Sequence, residues 1–328
     1  MNDSDKNKFL IIRLSSLGDV ILSTSVVREL KKQFPGSQID FLVKEQYVDA
    51  VKFNPLITNK YVYPADNITG KLTGILENEK YDAVIDLQNN FRSRKITKEL
   101  SADLYSYKKP SLKKFLLVRF KINLFRQIKS VQQMYSEACP LIEFDNQPPE
   151  FYFTISPKIR KPEKRLAVLC PGSRHFTKMW PVEYFIRLSA KLINSGYEVY
   201  VTGGKDDIEI CREIAGTNSL IFDYSTGNKL DEIATVINFA DVVVCNDSGL
   251  MHIASALKKP LAAIFGSTVK EFGFSPLSAN SVVIENKELS CRPCSHTGRS
   301  NCPKKHFKCM KEITPDSVFN QLQILANG

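Results

Sequence analysis

Chemistry in this chain starts with Cys170-Pro-Gly-Ser-Arg-His-Phe-Thr-Lys-Met-Trp-Pro181. A strand-like run, Leu166–Leu169, leads into Pro171-Gly172-Ser173. Arg174, His175, Thr177 and Lys178 follow, and Pro181 opens a helical pattern. Amides at a helix start, small hydroxyl residues and a lysine together form an anion cradle, and diphosphate is the usual anion. The spacing lacks the Gly-Lys-Ser/Thr ending of a P-loop, and the chain has no glycine fingerprint of a dinucleotide-binding turn. On these residues alone, an ordinary strand-to-helix loop stands beside the cradle reading.

Two further stretches repeat this design. Ile11-Ile-Arg-Leu-Ser-Ser-Leu-Gly-Asp-Val-Ile-Leu22 puts Ser15, Ser16, Gly18 and Asp19 between a strand and a helix. Gly18 lets a ligand approach the backbone. Asp19 reads either as a helix cap or as a general base placed beside a hydroxyl. In Val244-Cys-Asn-Asp-Ser-Gly-Leu-Met-His-Ile-Ala254, Asp247, Ser248 and the amides of Gly249 and Leu250 could bind phosphate oxygens or a sugar hydroxyl. His252 shares that helical turn; a lone histidine is more often structural than catalytic.

The elements around these stretches alternate. Strands are predicted at Phe9–Ile12, Ile39–Val43, Tyr61–Tyr63 and Ala83–Ile85. Helical patterns cover Val20–Gln33, 68–78 and Leu112–Ile128. Phe151–Lys164, with Pro157 and Pro162, marks a boundary. A second pass has strands at Leu166–Leu169, Glu198–Thr202, Leu220–Phe222, Val242–Cys245 and Leu261–Ile264. Its helices are predicted at Val182–Asn194, Asp206–Ala215, Leu230–Phe239 and Leu250–Leu257. The expectation is two doubly wound α/β domains, 1–158 and 159–328, with ligands bound in a cleft at the carboxyl ends of their sheets.

Composition suits a soluble globular protein: 43% hydrophobic and 24% charged residues. No apolar run reaches the ~18–20 residues that span a bilayer, and the polar N-terminus is not a signal peptide, so a cytoplasmic protein is expected. Net charge is +10. Between Gln88 and Gln132 there are twelve Lys/Arg against Glu99 and Asp103, so this stretch alone accounts for the excess. Such a surface favours anionic lipid, phosphorylated substrates or nucleic acid; a solvated helical face is the plainer explanation.

Ser-Ser-Leu-Gly-Asp, Pro-Gly-Ser-x5-Lys-x-Trp-Pro and Asn-Asp-Ser-Gly-x-x-His, in that order, resemble the signature of glycosyltransferase family 9, the lipopolysaccharide heptosyltransferases. The likeness runs from about Phe9 to Asp316. It implies a GT-B fold and an inverting, metal-independent transfer of heptose from ADP-heptose to a lipid A–core acceptor at the inner membrane leaflet. By position, it makes Asp19 the base and Lys178 the lysine on the donor diphosphate, with Ser173 and Thr177 as phosphate contacts. Asp247, Ser248, Gly249 and His252 match the second donor loop, with Ser248 where the family often has threonine. In Val201-Thr-Gly-Gly-Lys-Asp-Asp207, Asp206 or Asp207 would hold the ribose. On the acceptor side, Ser16 and Gly18 join Arg92, Arg94 and Lys95 of the segment Asp86–Arg94. The implied partners are a nucleotide-sugar donor, an anionic lipid-linked glycan and the inner-membrane surface, where the protein would sit peripherally; nucleic acid is not expected.

Four of the eight cysteines, Cys291, Cys294, Cys302 and Cys309, fall in the segment 291–309 with His296 and His306 interleaved. The pattern suits a structural zinc site or reduced thiols packed together. Cys139, Cys170, Cys211 and Cys245 are read as buried small residues. Two rival functions remain: a GT-B transferase using another nucleotide sugar, and a basic nucleic-acid binder with a zinc-like cysteine cluster.

Overall fold

The computed structural model describes residues 7–225 and 229–327. Most of the polar N-terminus (residues 1–6) lies outside the described residues. The chain divides into two compact units. One takes Met1–Lys109 and Ser130–Tyr152, the other Pro110–Lys129 and Phe153–Gly328. Among the described residues no helix is long and apolar enough to cross a membrane.

The first unit is built on strands β1 (Lys8–Ile12), β2 (Gln38–Lys44), β3 (Lys60–Tyr63), β4 (Ala83–Asp86) and β5 (Asp103–Ser106), in the order β3-β2-β1-β4-β5. All pairings are parallel. Helices cover parallel strands on both faces, so β1 is a continuous apolar run, Phe9-Leu-Ile-Ile12, buried throughout. β5 escapes a sequence reading because it is a short edge strand, Asp-Leu-Tyr-Ser, with no apolar run. The helix expected over Val20–Gln33 is two helices, Leu17–Leu22 and Thr24–Gln33. At the break, the hydroxyls of Ser23, Thr24 and Ser25 donate to the carbonyls of Val20, Ile21 and Leu22. Such back-bonding competes with the helical ladder and bends it.

The second unit has six parallel strands: β6 (Leu166–Cys170), β7 (Glu198–Val201), β8 (Ile221–Asp223), β9 (Val242–Asn246), β10 (Leu261–Phe265) and β11 (Ser281–Glu285). Their order is β11-β10-β9-β6-β7-β8. Helices Val182–Asn194 and Leu230–Phe239 form where their periodicity predicts. The final helix, Pro315–Asn327, opens on a proline, which loses no intrahelical bond there, and buries Val318 and Leu322 in the core. Cys139, Cys170, Cys211 and Cys245 are buried free thiols, as expected.

The segment Pro110–Lys129 departs from its sequence reading. Its helix covers only Ser111–Phe120 and stops where Lys121 turns left-handed at φ 61°. The segment groups with the second unit, whereas the sequence boundary put it in the first. Leu117 is buried, Lys114 stands over the rings of Phe272 and Phe274, and the Lys121 ammonium donates to the carbonyls of Cys291 and Pro293.

Each sheet reverses its strand order beside its central strand, at β1/β4 and at β6/β9. Loops leaving the carboxyl ends of those strands diverge, which is where open α/β sheets bind ligands. The loops after β1, β4, β6 and β9 contain all three motifs and the segment after Asp86.

Candidate active site

In the first unit the loop after β1 delivers Asp19 to the third position of helix Leu17–Leu22, whose N-cap is Ser16. The Ser16 amide and hydroxyl donate to Asp19 Oδ2 at 3.2 and 2.8 Å. Arg13 Nη2 lies 2.7 Å from Oδ1, and the buried Tyr135 hydroxyl donates to the same oxygen at 3.1 Å. Burial pushes the Asp19 carboxyl up, but Arg13, Ser16 and Tyr135 outweigh it and hold the pKa below the ordinary carboxylate value. Asp19 therefore closes the helix start and is also a fixed, ionised carboxylate. The two readings of this residue are compatible.

Arg13 is placed by its own Nη1, which donates to the Leu87 carbonyl in the loop after β4. Gln88 ties the same two loops together: its Oε1 accepts from the amides of Leu14 and Ser15. Asp86, buried at the end of β4, accepts from the amides of Gln88 and Asn89, and its carboxyl is raised by burial. Asn90 then caps helix Phe91–Thr97 by accepting from Arg92 and Ser93. This leaves Arg92, Arg94 and Lys95 exposed on one short helix. Arg94 donates to Asn89 and Arg92 to Asn67. Gly18 is buried and Ser16 exposed.

In the second unit the loops after β6 and β9 are joined by Asn246. Its side chain accepts from the Trp180 amide and donates to the Pro171 carbonyl. Trp180 is buried and donates through its indole to Ile313. Between these anchors Lys178 Nζ lies 2.7 Å from Asp247 Oδ2, and Thr268 donates to that oxygen at 2.6 Å. Burial raises the Asp247 carboxyl, but Lys178 and Thr268 together more than reverse this and leave it lowered. Ser173 donates to the Asp247 carbonyl. Ser248 is the N-cap of helix Gly249–Ala256, yet makes no side-chain cap bond. Its buried Oγ has no hydrogen-bond partner among the described residues. A buried hydroxyl without a partner at a helix start is free to donate to an oxygen-rich anion. His252 is buried one turn on, beside the Phe274 ring.

Two expected donor contacts have other work. Thr177 is 1% exposed; its hydroxyl accepts from the Arg299 amide and donates to Ser267. Its one proton, which a phosphate oxygen would need, goes to Ser267, so it fixes the loop and is not placed to hold phosphate. Asp207 accepts from the Gly204 amide and packs on two glycines. A Cβ on Gly172 would lie 2.0 Å from Asp207 Cγ, and one on Gly203 2.5 Å from its Cβ. Asp206 is exposed, so of the two acids it is the one open to a ligand.

The cysteine-rich segment clasps the Lys178 loop. The Thr177 amide donates to the Arg299 carbonyl and the Arg299 amide to the Thr177 hydroxyl, the Cys294 amide donates to the Ser267 carbonyl, and Phe307 stacks on Phe176 at 4.7 Å. Arg292, whose side chain is 5% exposed, donates to the carbonyls of Gly266 and Thr268 and pairs with Glu285. All four thiols are free, and burial plus the neighbouring thiols push Cys309 up to about 12. Among the described residues no three His, Cys, Asp or Glu side chains are arranged to hold a metal ion. Cys291, Cys294, Cys302 and Cys309 are electrostatic neighbours of one another, and the segment that holds them is also a clasp on the Lys178 loop.

Arg13, Gln88 and Asn246 lie inside the motif segments but have no role assigned from the sequence, and Thr268, just beyond β10, has no sequence signal. Tyr135 had no such signal: 116 residues separate it from Asp19.

The family model described as glycosyltransferase family 9 (heptosyltransferase) matches residues 69–305, more than half of the chain. Lipooligosaccharide heptosyltransferase 2 of Campylobacter jejuni is 25% identical over 327 residues, covering 94% of this chain and 95% of that protein. Among solved structures, the family 9 glycosyl transferase of Veillonella parvula superposes with a TM-score of 0.79 at 21% identity, covering 98% of each chain. The E. coli ADP-heptose lps heptosyltransferase II gives 0.77 at 21% identity, again covering 98% of each. These likenesses give the GT-B fold of two Rossmann-like units. Taken with the matched sequence model, they establish that the chain belongs to glycosyltransferase family 9 and is a glycosyltransferase.

Proposed function

We propose that this protein is an inverting heptosyltransferase of lipopolysaccharide or lipooligosaccharide core assembly, with ADP-heptose as donor. The observation that carries the proposal is the Lys178–Asp247–Thr268 constellation beside the unpartnered Ser248 hydroxyl, a cationic, hydroxyl-bearing cradle at a switch point. The name of the E. coli structural relative supplies the donor.

In the reaction, an acceptor hydroxyl attacks the anomeric carbon of the donor sugar. The bond from that carbon to the diphosphate oxygen breaks, and Asp19 takes the hydroxyl proton. The charge left on the nucleoside diphosphate is met by Lys178, Ser173, Ser248 and the amides at Gly249, groups that can do this without a metal ion. Asp206 holds the ribose, and His252 supports the donor loop from behind through its electrostatic contact with Asp247. Arg92, Arg94 and Lys95, with Ser16 and Gly18 near the base, meet an anionic lipid-linked acceptor. The protein works peripherally, at the inner face of the cytoplasmic membrane.

A thermal-shift panel of ADP, UDP, GDP and CMP compounds, with ADP-heptose included, tests the donor. ADP and ADP-heptose should raise the melting temperature. A shift with a non-adenine nucleotide alone would sink the heptose assignment and spare the glycosyltransferase.

A further inference from the structure

We propose that Leu112–Ile128 is a docking element that lays a mixed apolar and basic face on an anionic bilayer surface. The inference deepens the reading of a lipid-linked acceptor and rests on it only for its biological purpose.

Sixteen large apolar side chains are exposed among the described residues. Six of them crowd into this segment: Leu112 at 69%, Phe115 and Phe120 at 57%, Ile122, Leu124 and Ile128. No other stretch of similar length comes near this density. Lys113, Arg119 and Arg126 are exposed among them, and no acid occurs between Asp103 and Glu137.

Geometry sorts the side chains into two faces. On helix Ser111–Phe120, Leu117 is buried and Lys114 lies over two rings of the second unit. Lys121, at the helix end, is tied to the Cys291 and Pro293 carbonyls. These residues hold the helix down. Leu112, Phe115 and Arg119 stand at i, i+3 and i+7, which places them together on the opposite face. After Lys121 the chain leaves the helix, and Ile122, Leu124 and Ile128 remain exposed. The element is therefore anchored from below and displays greasy and cationic groups outward.

That combination fits an interfacial element, which buries apolar side chains at the headgroup boundary while Lys and Arg meet anionic lipid. A symmetric contact with a second copy fits poorly, because a two-fold axis would bring the same cations together with no acid in the segment to offset them. Nucleic acid fits poorly too, since four of the six exposed apolar groups are isoleucine or leucine, which offer no flat face for a base.

The test uses the full chain with phosphatidylcholine vesicles, with and without phosphatidylglycerol. The protein should bind the anionic vesicles, and added salt should weaken binding. The double variant Leu112→Ser/Phe115→Ser and, separately, Arg119→Glu should each lower vesicle affinity by roughly tenfold or more, with the melting temperature unchanged. In Phe120→Trp, the added fluorescence should shift to the blue on anionic vesicles and be quenched by brominated lipid. Absence of vesicle binding, unchanged binding in both variants, or an unquenched Phe120→Trp would each overturn the proposal. So would loss of self-association or of RNA binding in these variants without any effect on vesicles. Transfer to a deacylated, water-soluble acceptor separates this inference from the functional reading. The variants should keep wild-type transfer there. If the wild-type protein transfers nothing, the functional reading fails and the vesicle data still decide the docking element.

Discussion

Lys178 Nζ lies 2.7 Å from Asp247 Oδ2, so the cation proposed to meet the donor diphosphate is held by a carboxylate of the neighbouring motif. Asp247, with Thr268 on the same oxygen, acts as a positioning residue for Lys178. Asp247→Asn removes the counter-charge. It should cost about 2 kcal/mol of stability, below the usual cost of breaking a buried pair because Lys178 keeps 15% exposure. A bound diphosphate would then replace the missing charge, so ADP should raise the melting temperature of this variant more than that of the wild type. Equal shifts would mean that Lys178 does not meet the diphosphate. Lys178→Ala should raise the donor KM and lower kcat/KM about a hundredfold or more.

Asp19→Ala should slow transfer about a hundredfold to ten-thousandfold while leaving the ADP dissociation constant unchanged. Near wild-type turnover would remove Asp19 as the base.

Arg13 and Tyr135 hold the Asp19 carboxyl low, so its own titration should not limit transfer anywhere near neutral pH. Arg13→Met leaves burial uncompensated and should move the acid limb of kcat/KM to higher pH; Tyr135→Phe should move it less. A slower enzyme with an unmoved limb would show that these residues act on Asp19 by packing alone. For stability the sign runs the other way from a raised carboxyl. The contribution of Asp19 is complete above its unfolded value of 3.8 and is lost as pH falls through its lower folded value.

Glu29 is the opposite case. Burial pushes it up to about 7, against the hydrogen bond from Ser136. Its proton is bound more tightly in the folded state, so its contribution is full below the unfolded value of 4.5 and lost as pH rises through about 7. Glu29→Gln should therefore raise the melting temperature at pH 8 by roughly 2–4 °C and leave it little changed near pH 4. An equal change at both pH values would rule out titration as the cause.

Asn246→Ala strands the Trp180 amide and the Pro171 carbonyl, both buried. Stability should fall by about 1–3 kcal/mol, and the donor KM should rise because the Lys178 loop loses its tie. A destabilised variant with an unchanged donor KM would separate the tie from the site.

Strand and helix positions were largely legible in the sequence, because parallel strands buried on both faces read as unbroken apolar runs and each helix repeats its apolar stripe. What escaped was either at an edge, like β5 and β11, or set by local competition, like the Ser23 break and the left-handed Lys121. Asp19, Lys178, Asp247 and Ser248 could be singled out because they lie in loops between a strand and a helix, where open α/β sheets bind ligands, although Asp19 and Ser248 also sit at helix starts. The roles of Thr177 and Asp207 were not: a hydroxyl or carboxylate in a loop looks the same whether it faces a ligand or a backbone amide.

The sequence by itself determined two α/β units, the motif-bearing loops at the carboxyl ends of their strands, and the family. Tertiary structure alone decided which side chains meet in those loops. Tyr135 reaches Asp19 across 116 positions, Arg299 closes over Thr177, and Asp207 fills the space that two glycines leave. Periodicity is a local property of the chain and survives in the sequence. A hydrogen bond between distant segments depends on how the sheet brings strand ends together, and that information exists only once the strands are ordered.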